Sequence, residues 1–379
     1  MTRDCARRPR GEWLPRDSGE AMRVLIAAGG TGGHIYPGIA VANEILRREP
    51  QSEIRFVGTA RGLENKLVPR AGFELSIIDS AGLKNVGLAA RLRGLMILPK
   101  SLVEARRLVA SFRPDVVIGA GGYVSGPVLL AAALMRRPTM VMESNALPGW
   151  TNRRLARFVD KAAVSFTEAL PYFRGKGVVT GNPVRREFFD IPARQRDPHE
   201  FSVLIFGGSQ GARAINNAMI EALPLLEDLK KRLRITHQTG EADFDNVAAA
   251  YRAEGWEQAN VTKYVDNMVS AFAEVDLVIC RAGATTTAEL IAAGKASVMI
   301  PFPLAADDHQ RKNAEALQAA GGTRMIVQAD LTGERLASEI KTLASQPEVV
   351  TAMEHSSRSL ARGDAARAVV DLIEEMIRK

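Results

Sequence analysis

Cysteine is nearly absent: the 379 residues contain two, Cys5 in a polar stretch and Cys280 at the end of an apolar run. A disulfide framework and a cysteine-built zinc site are therefore excluded, and a reducing cytoplasm is the expected setting. Long apolar runs are missing too. The longest, Val128 to Met135, falls far short of the roughly 20 residues that a bilayer-crossing helix needs. Residues 1–21 lack the apolar core of a signal peptide, and Met22 stands directly before the first strand-like run, so this stretch reads as a disordered tail or an upstream start. Acidic charge is scarce in one half only. Residues 22–184 hold 22 Lys+Arg against 11 Asp+Glu, a net of +11, whereas residues 185–379 hold 23 against 28, a net of −5. The basic half should face something anionic: nucleic acid, a membrane surface or a phosphate-bearing substrate.

What is present is a rhythm. Short β-branched runs alternate with helical patterns, first at Val24–Ala28, Ile54–Gly58, Val116–Gly119, Thr139–Met142 and Ala162–Phe166. The pattern restarts at Val203–Phe206, Arg234–Gln238, Val261–Val265, Leu277–Cys280, Ser297–Pro301 and Met325–Val327. That is the signature of parallel sheets covered on both faces, so the expected class is α/β, with two doubly wound Rossmann-like domains. VLIAAGGTGGH (Val24 to His34) and VLIFGGSQGAR (Val203 to Arg213) open the two halves alike. The junction is expected at Gly181-Asn182-Pro183-Val184-Arg185, giving domains of residues 22–184 and 185–363, with a final amphipathic helix (364–379) crossing back to the first.

Three glycine- or hydroxyl-rich turns carry the candidate chemistry. A glycine turn between strand and helix lets backbone N–H groups approach an anion, with the helix dipole behind them. Gly29-Gly30-Thr31-Gly32-Gly33-His34 is such a turn, but it does not match the dinucleotide fingerprint, which disfavours a nicotinamide enzyme. Gly121-Gly122-Tyr123-Val124-Ser125-Gly126 is a second, and the two could cradle one diphosphate, although either could also be tight packing. In the second half, Ala284-Thr285-Thr286-Thr287-Ala288-Glu289 reads either as a phosphate-receiving helix start or as a helix capped through Thr286 and Glu289. Asp243-Phe244-Asp245 has the spacing of some metal-binding transferases, yet its polar context reads as a solvated helix start.

GGTGGHIYPGIAVA, GGYVSGPVLLAA, ESNALPGWTNR, GNPVR, FGGSQGAR, CRAGATTTAE and DDHQRKNA, in that order, resemble the motifs of the MurG glycosyltransferases. The likeness covers nearly everything after residue 21 and implies the GT-B arrangement, two Rossmann-like domains facing each other across a cleft. It implies an inverting transfer of N-acetylglucosamine from UDP-GlcNAc to undecaprenyl-diphosphate-linked MurNAc-pentapeptide in peptidoglycan synthesis. Neither an obligatory cofactor nor nucleic acid has a part in this. The resemblance assigns the UDP-GlcNAc site to Thr31, Gly32, Gly33, Asn145, Arg185, Ser209, Val265, Ala284, Thr285, Thr286, Thr287, Ala288, Glu289 and Gln310. Within that set, Val265 would meet the uracil through its backbone, Ser209 and the Thr285 helix start the diphosphate, Glu289 the ribose, and Gln310 with Asn145 the sugar. The acceptor diphosphate would lie on Gly30, Gly32, Gly33, Gly121, Gly122, Tyr123 and Ser125. One departure stands out: where the family commonly has His-Glu-Gln-Asn, this chain has Met142-Glu143-Ser144-Asn145.

Attack opposite an α-linked leaving group requires a base and a stabiliser for departing UDP. His34, at the first glycine turn and titrating near neutrality, is the first candidate base, and Glu143 is its rival. From Leu83 to Arg113 seven basic residues stand against the single acid Glu104, interleaved with leucines. Lys84, Arg91, Arg93, Leu95, Ile97 and Lys100 therefore form a candidate membrane patch, the alternative being an ordinary amphipathic helix with a solvated basic face. The expected location is the cytoplasmic face of the inner membrane, with division or elongation proteins as possible partners. The rival readings are a UDP-GlcNAc 2-epimerase-like enzyme, a transferase acting on a diacylglycerol, and a non-catalytic sugar-nucleotide-binding scaffold.

Overall fold

A computed structural model describes residues 21–30, 32–60, 62–80, 88–208, 210–305 and 308–378, with 88–96 as helical backbone only. The first half is a seven-stranded parallel sheet: β1 (Arg23–Ala28), β2 (Glu53–Gly58), β3 (Glu74–Ile77), β4 (Val116–Gly121), β5 (Thr139–Glu143), β6 (Lys161–Val164) and β7 (Gly177–Val179), in the order β3-β2-β1-β4-β5-β6-β7. Because helices cover both faces, central strands such as RVLIAA are apolar at nearly every position rather than alternating. One face packs on α1 (Gly32–Arg48), α2 (Glu64–Arg70) and the last helix, α13 (Ala365–Arg378). The other packs on α3 (Leu88–Phe112), α4 (Ser125–Leu134) and α5 (Trp150–Leu155).

The second half repeats the plan with six parallel strands: β8 (Phe201–Phe206), β9 (Leu233–Gln238), β10 (Asn260–Thr262), β11 (Leu277–Cys280), β12 (Ala296–Met299) and β13 (Thr323–Met325), ordered β10-β9-β8-β11-β12-β13. On one face lie α6 (Arg213–Ala222), α7 (Phe244–Ala253), α11 (Gly333–Ser345) and α12 (Pro347–Ser359). On the other lie α8 (Met268–Ala273), α9 (Ala284–Ala293) and α10 (His309–Ala319). The α/β class read from the alternation is the one observed. The sequence pattern does not announce β3 and β7, which are the two sheet edges, four and three residues long and only half-buried.

In each sheet the strand order reverses once, between β1 and β4 and between β8 and β11. Loops leaving the carboxyl ends of such a pair diverge and leave a crevice, the standard ligand position in open α/β sheets. The four turns that follow these strands are Gly29–His34, Gly121–Ser125, Gly207–Arg213 and Arg281–Ala284. Two chain crossings join the halves. One runs through Gly181–Glu200, and the other leaves α12 near Leu360 and enters α13. Val369, Val370, Ile373 and Ile377 of α13 are buried against the first sheet, and Arg48 of α1 bonds Asp371 at 2.6 Å and Glu374 at 3.1 Å.

Candidate active site

In the first half the two glycine turns interlock. Gly29 N–H donates to Gly121 O at 3.3 Å. A Cβ on Gly122 would stand 2.3 Å from Gly29 O, and one on Gly121, where φ is +121°, 2.3 Å from the His34 ring. Glycine is thus forced at both positions by close approach as well as by backbone angle. A bulge after Ala27, where Ala28 pairs with Gly121, sets this register. The Gly29 carbonyl can only accept, so His34 Nδ1 carries the proton and donates to it at 3.1 Å. Nε2 is left with a lone pair. Burial pulls the His34 pKa below its ordinary value; the Gly29 bond and Glu143 oppose the shift, and His309 from the second half adds to it.

Three expected acceptor groups are already employed. Gly30 N–H donates to Glu64 Oε2 at 2.9 Å, and Glu64 Oε1 accepts from Thr59 N and Thr59 Oγ1 at 2.8 and 2.9 Å. Burial alone would push the Glu64 carboxyl up, but these donors outweigh it and hold the group ionised below its usual range. The Ser125 hydroxyl is fully buried, accepting from Gly121 N and shared between the carbonyls of Ala27 and Gly121. It therefore ties the turn to β1 instead of facing a ligand. Tyr123 is exposed at the rim, while Thr31 lies outside the described residues.

Glu143, at the end of β5, is buried with four donors on its carboxylate. Asn145 N and Nδ2 reach Oε1, both at 2.9 Å, while Gly149 N and Asn152 Nδ2 reach Oε2 at 3.0 and 2.8 Å. A carboxylate so saturated organises the 143–152 loop and has little capacity left to take a substrate proton. Met142 is packed in the core, and the Ser144 hydroxyl donates to Asn182 Oδ1 at 3.1 Å, anchoring the first crossing between the halves. The two residues that depart from the family pattern thus have structural employment here.

In the second half, α9 starts after Gly283, so Thr286 sits inside the first turn and the capping box through Thr286 and Glu289 does not form. Thr287 Oγ1 donates back to Gly283 O at 3.0 Å and is buried; Thr285 Oγ1 is buried without a partner. Among the three threonines, it is Thr285 that has an unmet hydrogen-bonding need at a helix N-terminus. Burial pushes Glu289 up to about 7, opposed by Arg185, whose guanidinium lies 3.6 Å away and stacks on Phe188. Gln238, unmarked by any motif, bridges the loops: its Nε2 donates to Gly208 O and its Oε1 accepts from Val265 N, each at 2.9 Å. The Val265 N–H is thus occupied. Ser209 lies outside the described residues. Gln310 Oε1 accepts from Phe302 N at 3.0 Å, and Asp243 is engaged by Asn216 and Arg213 at the start of α7.

The halves meet at α10. Asn313 is completely buried; its Oδ1 accepts from Ala146 N at 3.0 Å, and its Nδ2 donates to Asn145 Oδ1 and Ala282 O, both at 3.2 Å. Asn313 falls inside the DDHQRKNA motif without having been given a role, and no motif marked Glu64; each is a polar residue at a position where its helix turns inward. Of the candidate membrane patch, Lys84 and the side chains of Arg91, Arg93 and Leu95 lie outside the described residues. Ile97 is half-buried, and Lys100 is exposed but ion-paired with Asp79 and 3.7 Å from Glu104. No helix among the described residues is long and apolar enough to cross a membrane.

Residues 24–164 match the glycosyltransferase family 28 N-terminal domain, and residues 202–374 its C-terminal domain. The chain is 48% identical over 360 residues to the UDP-N-acetylglucosamine--N-acetylmuramyl-(pentapeptide) pyrophosphoryl-undecaprenol N-acetylglucosamine transferase of Anaeromyxobacter sp., covering 94% of each chain. The Myxococcus xanthus protein of the same name is 48% identical over 94% of this chain and 93% of its own. The crystal structure of Acinetobacter baumannii MurG superposes with a TM-score of 0.78 at 32% identity, covering 93% of this chain and 99% of that one. A UDP-GlcNAc 2-epimerase from Neisseria meningitidis gives 0.68 at 15% identity over 93% of this chain and all of that one, a likeness of fold alone.

Proposed function

Because this chain belongs to glycosyltransferase family 28, with both of its domains and the sequence features of MurG, we propose that it moves N-acetylglucosamine from UDP-GlcNAc to the C4 hydroxyl of undecaprenyl-diphosphate-linked MurNAc-pentapeptide. This is the step that makes lipid II for peptidoglycan. The observation that carries the reading is the meeting of His34 and Asn145 from one half with α10 of the other, in a chain 48% identical to named transferases along almost its whole length. The test is a transfer assay pairing UDP-GlcNAc with a polyprenyl-diphosphate-MurNAc-pentapeptide, with UDP-GalNAc as the control. Appearance of the disaccharide is expected; UDP-GlcNAc turnover that ignores the acceptor would favour an epimerase-like enzyme instead.

The basic half is the acceptor side. Gly32, Gly33 and Gly122 offer backbone N–H groups to the lipid-linked diphosphate, while Glu64 and Ser125 hold the turns in shape, Ser125 by taking the Gly121 N–H. His34 Nε2, unprotonated because Nδ1–H is committed to Gly29, takes the proton from the attacking hydroxyl. The anomeric carbon is attacked from the side opposite UDP, and the bond to the β-phosphate oxygen breaks as the new glycosidic bond forms. Charge gathers on departing UDP. The N-terminus of α9, the unpartnered Thr285 hydroxyl and Arg185 are placed to receive it, each preorganised donor contributing about 2–4 kcal/mol in such a site. Glu289 takes the ribose hydroxyls, Gln310 and Asn145 the sugar. Neither a metal nor another cofactor is assigned a step.

Attachment to the membrane is peripheral, through the face formed by α3, α4 and α5. It carries exposed Arg106, Arg107, Arg136, Arg154 and Arg157 together with exposed Leu98, Val103, Leu134 and Phe158. Cations with apolar tips suit an anionic lipid surface. Of the patch read from Lys84 to Lys100, the Lys100 charge is paired locally with Asp79.

A further inference from the structure

Amide side chains present a donor and an acceptor that look alike in shape, so what fixes their orientation is the chemistry of their neighbours. Both carboxyl oxygens of Glu143 accept from backbone N–H groups, of Asn145 and of Gly149, so the edge of Asn145 that meets Oε1 is Nδ2. Asn145 Oδ1 then faces the second half and requires a donor there. Asn313 supplies one from Nδ2, and the same choice turns its Oδ1 toward Ala146 N–H, which can only donate, and its second Nδ2 hydrogen toward Ala282 O, which can only accept. One assignment satisfies every atom. Flipping Asn313, which is fully buried, would set like against like at three contacts, and flipping Asn145 at two.

The spacing along α10 gives this network a role. Asn313 lies three residues after Gln310 and four after His309, so the three share one stretch of helix surface beside the cleft. We infer that Asn313 is a positioning residue, which sets the Asn145 carboxamide from across the cleft and so makes recognition of the N-acetylhexosamine depend on closure of the two halves. This rests on the reading of Asn145 as a sugar contact. UDP itself, held by the second half through α9 and the Val265 loop, would not sense the link; the sugar would.

The experiment measures UDP and UDP-GlcNAc binding to the full chain by calorimetry, in wild type, Asn313→Ala, Asn313→Asp, Asn145→Ala and the double alanine variant. The expected result for Asn313→Ala is a Kd for UDP-GlcNAc raised about tenfold with that for UDP unchanged within about twofold, the scale of one or two lost hydrogen bonds. Asn313→Asp keeps the size and the acceptor facing Ala146 but turns a second acceptor on Asn145 Oδ1, so it should lose at least as much. The double variant should be no weaker than the worse single, because both remove the same link. Unchanged UDP-GlcNAc binding in both Asn313 variants, a loss shared equally by UDP in both, or multiplying single effects would each overturn the proposal. Wild-type UDP affinity doubles as the check that the second half is folded. No lipid acceptor enters these titrations, so a failed transfer assay and a failed cycle point to different errors.

Discussion

His34 can serve as a base only while its imidazole is neutral with Nε2 unprotonated, and the structure supplies both conditions. Burial lowers its pKa, and the Gly29 carbonyl fixes the tautomer with Nε2 free. Because the lowered pKa keeps the ring unprotonated further into acid, kcat/KM should hold through the ordinary histidine range and fall only below it. His34→Ala should lower kcat by about 10²- to 10⁴-fold and remove that acid limb from the pH–rate profile. A loss below tenfold would reassign the base. Glu289 makes a second, opposite case. Its folded pKa is raised by burial to about 7, so between the unfolded value and about 7 the folded state binds the extra proton and stability declines as pH rises. Glu289→Gln should therefore match wild type in stability near pH 4 and exceed it by about 1–3 kcal/mol at pH 8, read by urea unfolding, while weakening UDP binding. Stability lost to an ionised, half-desolvated group beside a ligand cleft fits recruitment of that group for binding. At this scale the sequence was legible where a residue type has few uses, as at Gly121 or His34. It was not legible for Asn313, whose partners Ala146, Asn145 and Ala282 lie far away along the chain, and for Glu143 the position was marked but not the saturation of its carboxylate by the 145–152 loop.

The helices show how local signals and tertiary demands divide the work. The glycine turns were readable because a strand, two glycines and a helix start form a local pattern. The edge strands β3 and β7 were not, since their identity comes from pairing with β2 and β6 rather than from their own few residues. α9 carries its meaning at both ends. Its N-terminus faces the cleft, and its C-terminal carbonyls, Ala292 and Ala293, accept from Arg358 at 2.7 and 2.9 Å. The same guanidinium donates to Phe189 and Ile191 of the first crossing at 3.1 and 2.7 Å, so one side chain of α12 ties the helix to the linker. Arg358→Met keeps much of the packing volume and removes all four charge-assisted bonds. It should destabilise the second half by about 2–4 kcal/mol in urea unfolding monitored at that half. A cost below about 0.5 kcal/mol would mean the linker is held by the Phe188 and Ile191 packing alone.

For the molecule as a whole, the charge asymmetry read from composition has a spatial counterpart. The half with a net of +11 exposes arginines on the α3, α4 and α5 face, and the half with a net of −5 stands on the other side of the cleft. Near an anionic bilayer the first is drawn in and the second pushed out, so the charges orient the molecule as well as attract it. Arg154 and Arg157 are suited to test this because both are exposed and their partners are local rings, Trp150 at 5.3 Å and Phe158 at 4.8 Å, with no acid engaged among the described residues. Each basic residue near such a surface contributes about 1 kcal/mol, so reversing both charges should weaken attachment by roughly 2–4 kcal/mol. The measurement is flotation with anionic and neutral vesicles across a salt series, with melting temperature as the check on folding. Wild type should float with anionic lipid at low salt and detach as the Debye length shrinks, and Arg154→Glu with Arg157→Glu should stay at the bottom of the gradient. If wild type associated equally with neutral vesicles, apolar insertion by residues such as Leu98 and Phe158 would have to account for attachment, and the charge asymmetry would answer to the diphosphate alone.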